Sequence, residues 1–284
     1  MLLNLSLFER ISLENWRALK YMFKTIIIIL SFFWISDFSF ATDVTSKAAE
    51  TDSIRYLLND ANQYIQNGED EKALNVYMGI LSKEPENYEA LWNSSLIYSK
   101  KGRMQADFSS MEPYFRTALE IAGFCLEKHP DKSRSHYVFA LASAGLADEM
   151  PNSTERIQLI WNMKEHSYRA ARLDPDYAPA WHLKGVWHSK IANISRAERF
   201  AARFVYGALP EGASNSKAEE YLKRAITMSP DTILFQLDLA QHYQESGQSK
   251  KAYPVLQSIL TMEPVSQNDY FDLDEARERY ETLN

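Results

Sequence analysis

Tyr64 and Gly68 are followed at one and the same interval by Tyr98 and Gly102. That interval is the ~34 residues of a tetratricopeptide repeat. Landmark residues that recur at one fixed interval demand a supersecondary unit copied along the chain, each copy packing on its neighbours. Five prolines, Pro85, Pro130, Pro175, Pro230 and Pro264, extend the pattern, each after a helical run, at successive spacings of 45, 45, 55 and 34. Against a unit of about 34 residues, these leave additions of 11, 11, 21 and none. Eleven residues make about three turns at ~3.6 residues per turn, so such an addition lengthens a helix and keeps its apolar face in register. No run of alternating β-branched residues competes, and the fold class is all-α.

The residues between the landmarks match the tetratricopeptide consensus of paired antiparallel helices. In the first unit Tyr64 and Gly68 end one helix, and Ala73, Tyr77 and Pro85 mark its partner. The second ends with Pro113, Ala118, Ala122 and Pro130, with Pro113 suited to a helix's first turn. The third is the most divergent. Its first helix is expected near 133–147, with Phe139 and Ala140, and residues 152–155 (NSTE) resemble a capping box opening a long helix to about Leu173. The fourth has Trp181, Gly185, Ala218, Leu222, Ala225 and Pro230, with His188 where tyrosine is usual. The fifth keeps Leu239, Ala240, Tyr243, Gly247, Ala252, Leu256 and Ile259. A capping helix over 265–284, opened by Asp272 and Glu275 and carrying Leu273, Ala276, Tyr280 and Leu283 on one side, is expected to close the array. The whole reads as a tetratricopeptide-like right-handed superhelix over 53–264, interrupted by an insertion at 189–217.

That insertion belongs to no repeat consensus. The segments MKEHSYRAARLDPDYAPAWHLKGVWHSKIANISRAERFAARFVYGALPEGAS and KAEEYLKRAITMSP resemble the regulator of microtubule dynamics protein family, a branch of the tetratricopeptide group. The likeness covers roughly residues 52–264, and its most specific parts are ANIS, ER and GALPE. The resemblance implies an all-helical adaptor without catalytic activity.

The N-terminal region reads differently. Residues 25–36 (TIIIILSFFWIS) form an apolar run after Lys24, too short for the ~20 residues of a membrane-spanning helix, and Ser39-Phe40-Ala41 gives the small-x-small pattern of a cleavage site. A signal peptide region over 1–41 is expected, with Met22 as the biological start, cleavage after Ala41 and export to a periplasmic or secreted location. The alternative is a membrane anchor formed by an uncleaved signal segment. Residues 42–52 read as a linker. The formal charge is −7, and −8 without residues 1–41. No basic surface dominates, which argues against a nucleic-acid partner.

First helices of such an array line its concave side. Arg55, Asn62, Trp92, Lys100, Arg134, Tyr137, His182 and Lys190 are expected to project there and to hold an acidic peptide, or a lipid with an anionic head group. The competing expectation is that the terminal or inserted helices fill this groove. In the insertion Arg196, Arg199 and Arg203 form a cationic stripe beside Phe200 and Phe204, suited to a partner or a membrane surface, unless the aromatics are core. Cys125 reads as a small core residue. No H-x3-H, H-E-x-x-H, P-loop, G-x-G-x-x-G or G-x-S-x-G pattern is present, so no metal, cofactor or catalytic residue is expected. A non-catalytic scaffold for a protein or peptide partner is the reading favoured, a lipid-binding or tethering module the alternative; a helical-repeat hydrolase would need a nucleophile and base not evident in the sequence.

Overall fold

A computed structural model describes residues 40–283 except 151–152 and 207. The apolar run at 25–36 and Ser39 lie outside the described residues. The chain divides into two compact units, Met1–Thr51 and Asp52–Asn284, and the account below concerns the second.

Helix α1 runs over Phe40–Gln66. It continues through 42–52, where a linker was expected, because no glycine or proline interrupts the chain between Phe40 and Gln66. Then come α2 (Asp70–Leu81), α3 (Tyr88–Arg103), α4 (Phe108–Lys128), α5 (Ser133–Glu149), α6 (Thr154–Leu173) and α7 (Ala178–Asn193). The insertion carries the short α8 (Arg196–Ala201) and a π-helical turn (Ala202–Tyr206). The array resumes with α9 (Asn215–Met228), α10 (Ile233–Glu245), α11 (Ser249–Ile259) and α12 (Gln267–Glu281). No strand occurs among the described residues.

The pairs are α1/α2, α3/α4, α5/α6, α7/α9 and α10/α11, with Pro85, Pro130, Pro175 and Pro230 falling between one pair and the next and Pro264 between α11 and α12. The extra residues lengthen second helices: α4 and α6 have 21 and 20 residues against 12 in α2 and 11 in α11. Pro113 therefore lies inside α4, which starts a turn earlier than expected because Asp107 caps it by accepting from the Ser110 amide at 3.0 Å. Ser153 rather than Asn152 caps α6. The insertion is narrower than 189–217, since Ser189 still belongs to α7 and Lys217 to α9.

Small residues set the spacing of the pairs. A Cβ on Gly185 would stand 2.6 Å from the Leu222 side chain, and one on Gly102 would stand 2.9 Å from the Phe115 ring. Buried clusters follow one another along the array, around Tyr77 and Ile97, around Phe115, Leu146 and Trp187, and around Leu222, Leu237 and Leu256.

The last helix departs most from expectation. It starts at Gln267 behind a capping box of Ser266 and Asp269, well before Asp272, which is left inside the helix at 1% exposure. One face of α12, with Leu273 and Ala276, packs on α10 and α11. Its beginning reaches back to the first two pairs. Asn268 donates to Asp70 (3.4 Å), and Asp272 pairs with Arg103 at the end of α3 (2.7 Å). The Arg103 guanidinium also covers the Phe271 ring. Gly68 has φ +72°, and a Cβ there would meet the Val265 carbonyl oxygen at 2.5 Å, so the hairpin after α1 and the approach to α12 touch backbone to backbone.

Candidate binding surfaces

Among the residues expected on the concave side, the cations all have acidic partners within the fold. Arg55 pairs with Asp52 (3.0 Å), Lys100 with Asp70 (3.0 Å), Lys190 with Asp148 (2.8 Å), and Arg134 approaches Asp174 (3.6 Å). His182 is bonded to Asp238 (2.7 Å) and stacks on Phe235. Asn62 bridges Glu89 and the Tyr77 hydroxyl. The Arg134 guanidinium lies over Tyr177 (4.5 Å) and Trp92 (5.6 Å), and Tyr137 meets Tyr177 edge to face. Lys100, Lys190, His182 and Asn62 thus link neighbouring pairs, whereas the Arg55–Asp52 bridge lies within α1.

The middle of that side is acidic as well as basic. Arg103 acts on Tyr137, Asp238 and Asp272 at once. Burial raises the Asp272 carboxyl to about 6 against the pull of Arg103. Burial also works to raise Asp238, but His182, Arg103 and Lys190 hold it below its ordinary value. The start of α12 thus meets this side of the array through Asp70, the partner of Lys100, and through Arg103, while its apolar face packs on α10 and α11. The signal was present in Asp272, an acid on the same side of the helix as Leu273 and Ala276.

Ser189 Oγ lies 2.9 Å from His242 Nδ1, the spacing of a nucleophile and a base. Ser189 is 5% exposed and His242 0%, and burial holds that imidazole below its ordinary value. The pair joins α7 to α10. Cys125 is buried, and burial pushes its thiol up to about 11. Among the described residues no three His, Cys, Asp or Glu side chains are grouped to hold a metal ion. A cavity of about 380 Å³, lined among others by Asp148, Arg156, Trp187, Lys190, Glu198 and Glu245, lies at the foot of the insertion.

The insertion itself is clamped at its base. Arg199 donates to the Ile191 carbonyl (2.6 Å), the Trp161 indole to Ala208 (2.9 Å) and Lys164 to Glu211 (2.9 Å). His188 Nδ1 accepts the Ser214 amide (3.2 Å), so its Nε2–H donates to the Tyr168 hydroxyl (2.7 Å). Burial first, then the nearby lysines, lower His188 to about 4. Ala202, Leu209 and Pro210 are buried, yet Phe200 and Phe204 are 66% and 68% exposed with their rings 4.5 Å apart. The aromatic stripe is therefore not core. Of the three arginines, Arg199 is partly structural, whereas Arg196 and Arg203 are exposed and form no ion pair among the described residues.

A site missed from sequence is Lys184, standing where the repeat consensus has leucine. Its ammonium is enclosed by Trp181 (4.0 Å), Tyr221 (4.2 Å) and Tyr168 (4.4 Å), with Arg224 on Trp181 at 3.6 Å. Burial, with Arg224, lowers it to about 8. The aromatic side chains supply the attraction that a carboxylate would otherwise provide.

Paired antiparallel helices, close contacts at the consensus small residues and a capping helix define a tetratricopeptide-like protein. A thermophilic TPR protein of Thermus thermophilus has the same fold, at a TM-score of 0.57 and 20% identity over 81% of this chain and 98% of that one. Within this class the chain belongs to the regulator of microtubule dynamics protein 1-3 family, whose profile matches residues 57–284. It is 28% identical over 186 residues to regulator of microtubule dynamics protein 1 of Bos taurus, covering 65% of this chain and 57% of the bovine one. It is 24% identical over 184 residues to regulator of microtubule dynamics protein 3 of Xenopus laevis, covering 65% and 40%. The chain thus spans only about half the length of the curated relatives it matches.

Proposed function

We propose that this protein is a non-catalytic helical-repeat scaffold whose concave side takes a helical segment of a protein partner. The observation that supports this most is the seating of α12, a helix held by an acid on Arg103 at the end of α3 and by a short apolar stripe packed on α10 and α11. A groove shaped for one such helix suits another with the same pattern, a mode of recognition in which i, i+3 and i+4 side chains act as anchors. The partner is then an acidic amphipathic helix that competes with α12. The alternative of a lipid-binding module needs an apolar tunnel. The cavity at the foot of the insertion, about 380 Å³ with a charged wall, sits at the small end of the ~300–1,000 Å³ range of ligand pockets.

We further propose that the protein acts outside the cytoplasm, on the strength of the apolar run at 25–36 and the Ser39-Phe40-Ala41 pattern. The partner is then one other than the microtubules that the names of the curated relatives mention. N-terminal sequencing of the exported fraction is expected to read Thr42 first; an intact apolar segment in membrane pellets would establish the anchor instead.

The scaffold is tested by placing a photo-cross-linking residue at Lys100 or Arg134 of the full chain in its native cells. One recurrent protein adduct is expected, and denaturing extraction should release no stoichiometric small molecule. Stoichiometric lipid, or no adduct from either position, would overturn the reading.

A further inference from the structure

The feature that the scaffold reading leaves unused is the insertion. It is bonded to α6 and α7 at Ile191, Ala208, Glu211 and Ser214, so it is a fixed part of the surface. Fixed in this way, it still leaves two phenylalanine side chains about two-thirds exposed and touching each other. Ala202 and Leu209 on the same segment are buried, so the surrounding structure takes in apolar side chains and has excluded these two. A contiguous exposed aromatic patch on an otherwise well-packed chain marks an interaction surface.

Its charge indicates what it meets. Arg196 and Arg203 are exposed beside the rings, and the Arg203 guanidinium lies 6.0 Å from the Phe204 ring centroid. The single acid of α8, Glu198, is folded back on Ser195 in a capping box. Nearby Trp161 is 40% exposed at the exit of the segment, with the Lys164 ammonium 5.4 Å from its ring. On a chain of net charge −7, this is a local cationic and aromatic patch. The two rings stand side by side and exposed, and the combination of arginine with phenylalanine and tryptophan is that of interfacial segments.

We propose that the insertion docks the protein on an anionic membrane surface, with Phe200 and Phe204 entering the interface and Arg196 and Arg203 meeting the acidic head groups. This goes beyond the scaffold reading and does not depend on it.

The test is sedimentation of the full chain with vesicles of phosphatidylcholine, with and without about one-third phosphatidylserine, the lipid that attracts basic segments. Binding to the anionic vesicles is expected, weakening with added salt because surface charges are screened beyond ~8 Å at physiological ionic strength. Arg196→Gln with Arg203→Gln should lower it by about tenfold or more, each cation contributing about fivefold near such a surface. Phe200→Ser with Phe204→Ser should lower it at least as much. All four positions are exposed, so melting temperatures should hold. Cys125 is buried, so in Phe204→Cys a polarity-sensitive thiol dye reports position 204, and its emission should shift blue on anionic vesicles. No binding by the parent, binding unchanged in both double variants, or a dye that stays in water would each overturn the proposal. In the second case the bound element lies elsewhere in the chain, and a protein surface becomes the alternative for the insertion.

Discussion

His188 stands where the repeat consensus has tyrosine, and its two ring nitrogens join α6 to the return of the insertion. The bond from the Ser214 amide requires an unprotonated Nδ1, so the neutral ring is part of the architecture. His136 and His166 meet Nδ1 to Nδ1 at 2.8 Å, and burial lowers both, as it lowers His242. Unfolding therefore takes up protons once the pH falls below the ordinary histidine value of ~6.5, and the stability present above that value is lost as pH drops toward 4. Asp272 works in the opposite sense, since a carboxyl raised to about 6 gains stability as it protonates, but it is one group against four. The expected outcome is a melting temperature that declines steadily from pH 7 to pH 4.5. In His188→Asn, which keeps an acceptor but cannot titrate, the decline should be shallower, with about 2 kcal/mol of the pH-dependent loss removed. Equal slopes in the two proteins would show that His188 does not carry the effect.

Gly185 is the other position where a single residue decides the packing. A leucine there would force its Cβ into Leu222, both its side chain and its backbone nitrogen, so overpacking should cost about 2 kcal/mol or more. Denaturant titration measures this, and a cost under about half a kcal/mol, the usual size of an exposed substitution, would mean the two helices are free to move apart.

At the scale of elements, the helix pairs were legible because repeat spacing and turn prolines are local signals. The shorter additions could be assigned to helices because about three whole turns preserve the apolar face. The starts of α4, α6 and α12 were misplaced by up to a turn or more, since Asp107, Ser153 and Ser266 compete with equally good caps nearby and only tertiary contacts choose between them. The acidic partners of the concave residues were not legible, because they lie up to 56 residues away in sequence, as Asp238 does from His182, and no periodicity links them. The insertion's exposed aromatics could not be told from core by spacing alone.

Its three arginines now separate. Arg199→Ala should lower stability by about 1 kcal/mol through the lost bond to the Ile191 carbonyl, whereas Arg196→Ala and Arg203→Ala should stay within about half a kcal/mol. Thermal melts of the three single variants check this ordering.

Across the whole molecule, the contact between Arg103 and Asp272 ties the second pair to the last helix. Removing the guanidinium alone leaves a carboxylate 1% exposed with no counter-charge, so Arg103→Ala should cost about 3 kcal/mol or more. Replacing both by apolar residues, Arg103→Met with Asp272→Leu, should recover most of that cost. A double variant as unstable as the single one would show that the pair itself, and not the stranded charge, holds α12 in place.

The touch of Gly68 on Val265 bears on how the chain acquires its structure. An open array is built from contacts between sequence neighbours and can assemble from any pair outward. Here the bond from Asn268 to Asp70 spans 198 residues, and it cannot form until residue 268 has been synthesised. Contacts of such long range are slow to close. The seam is therefore expected to close late, and until it closes Arg103 and Asp70 can meet another helix.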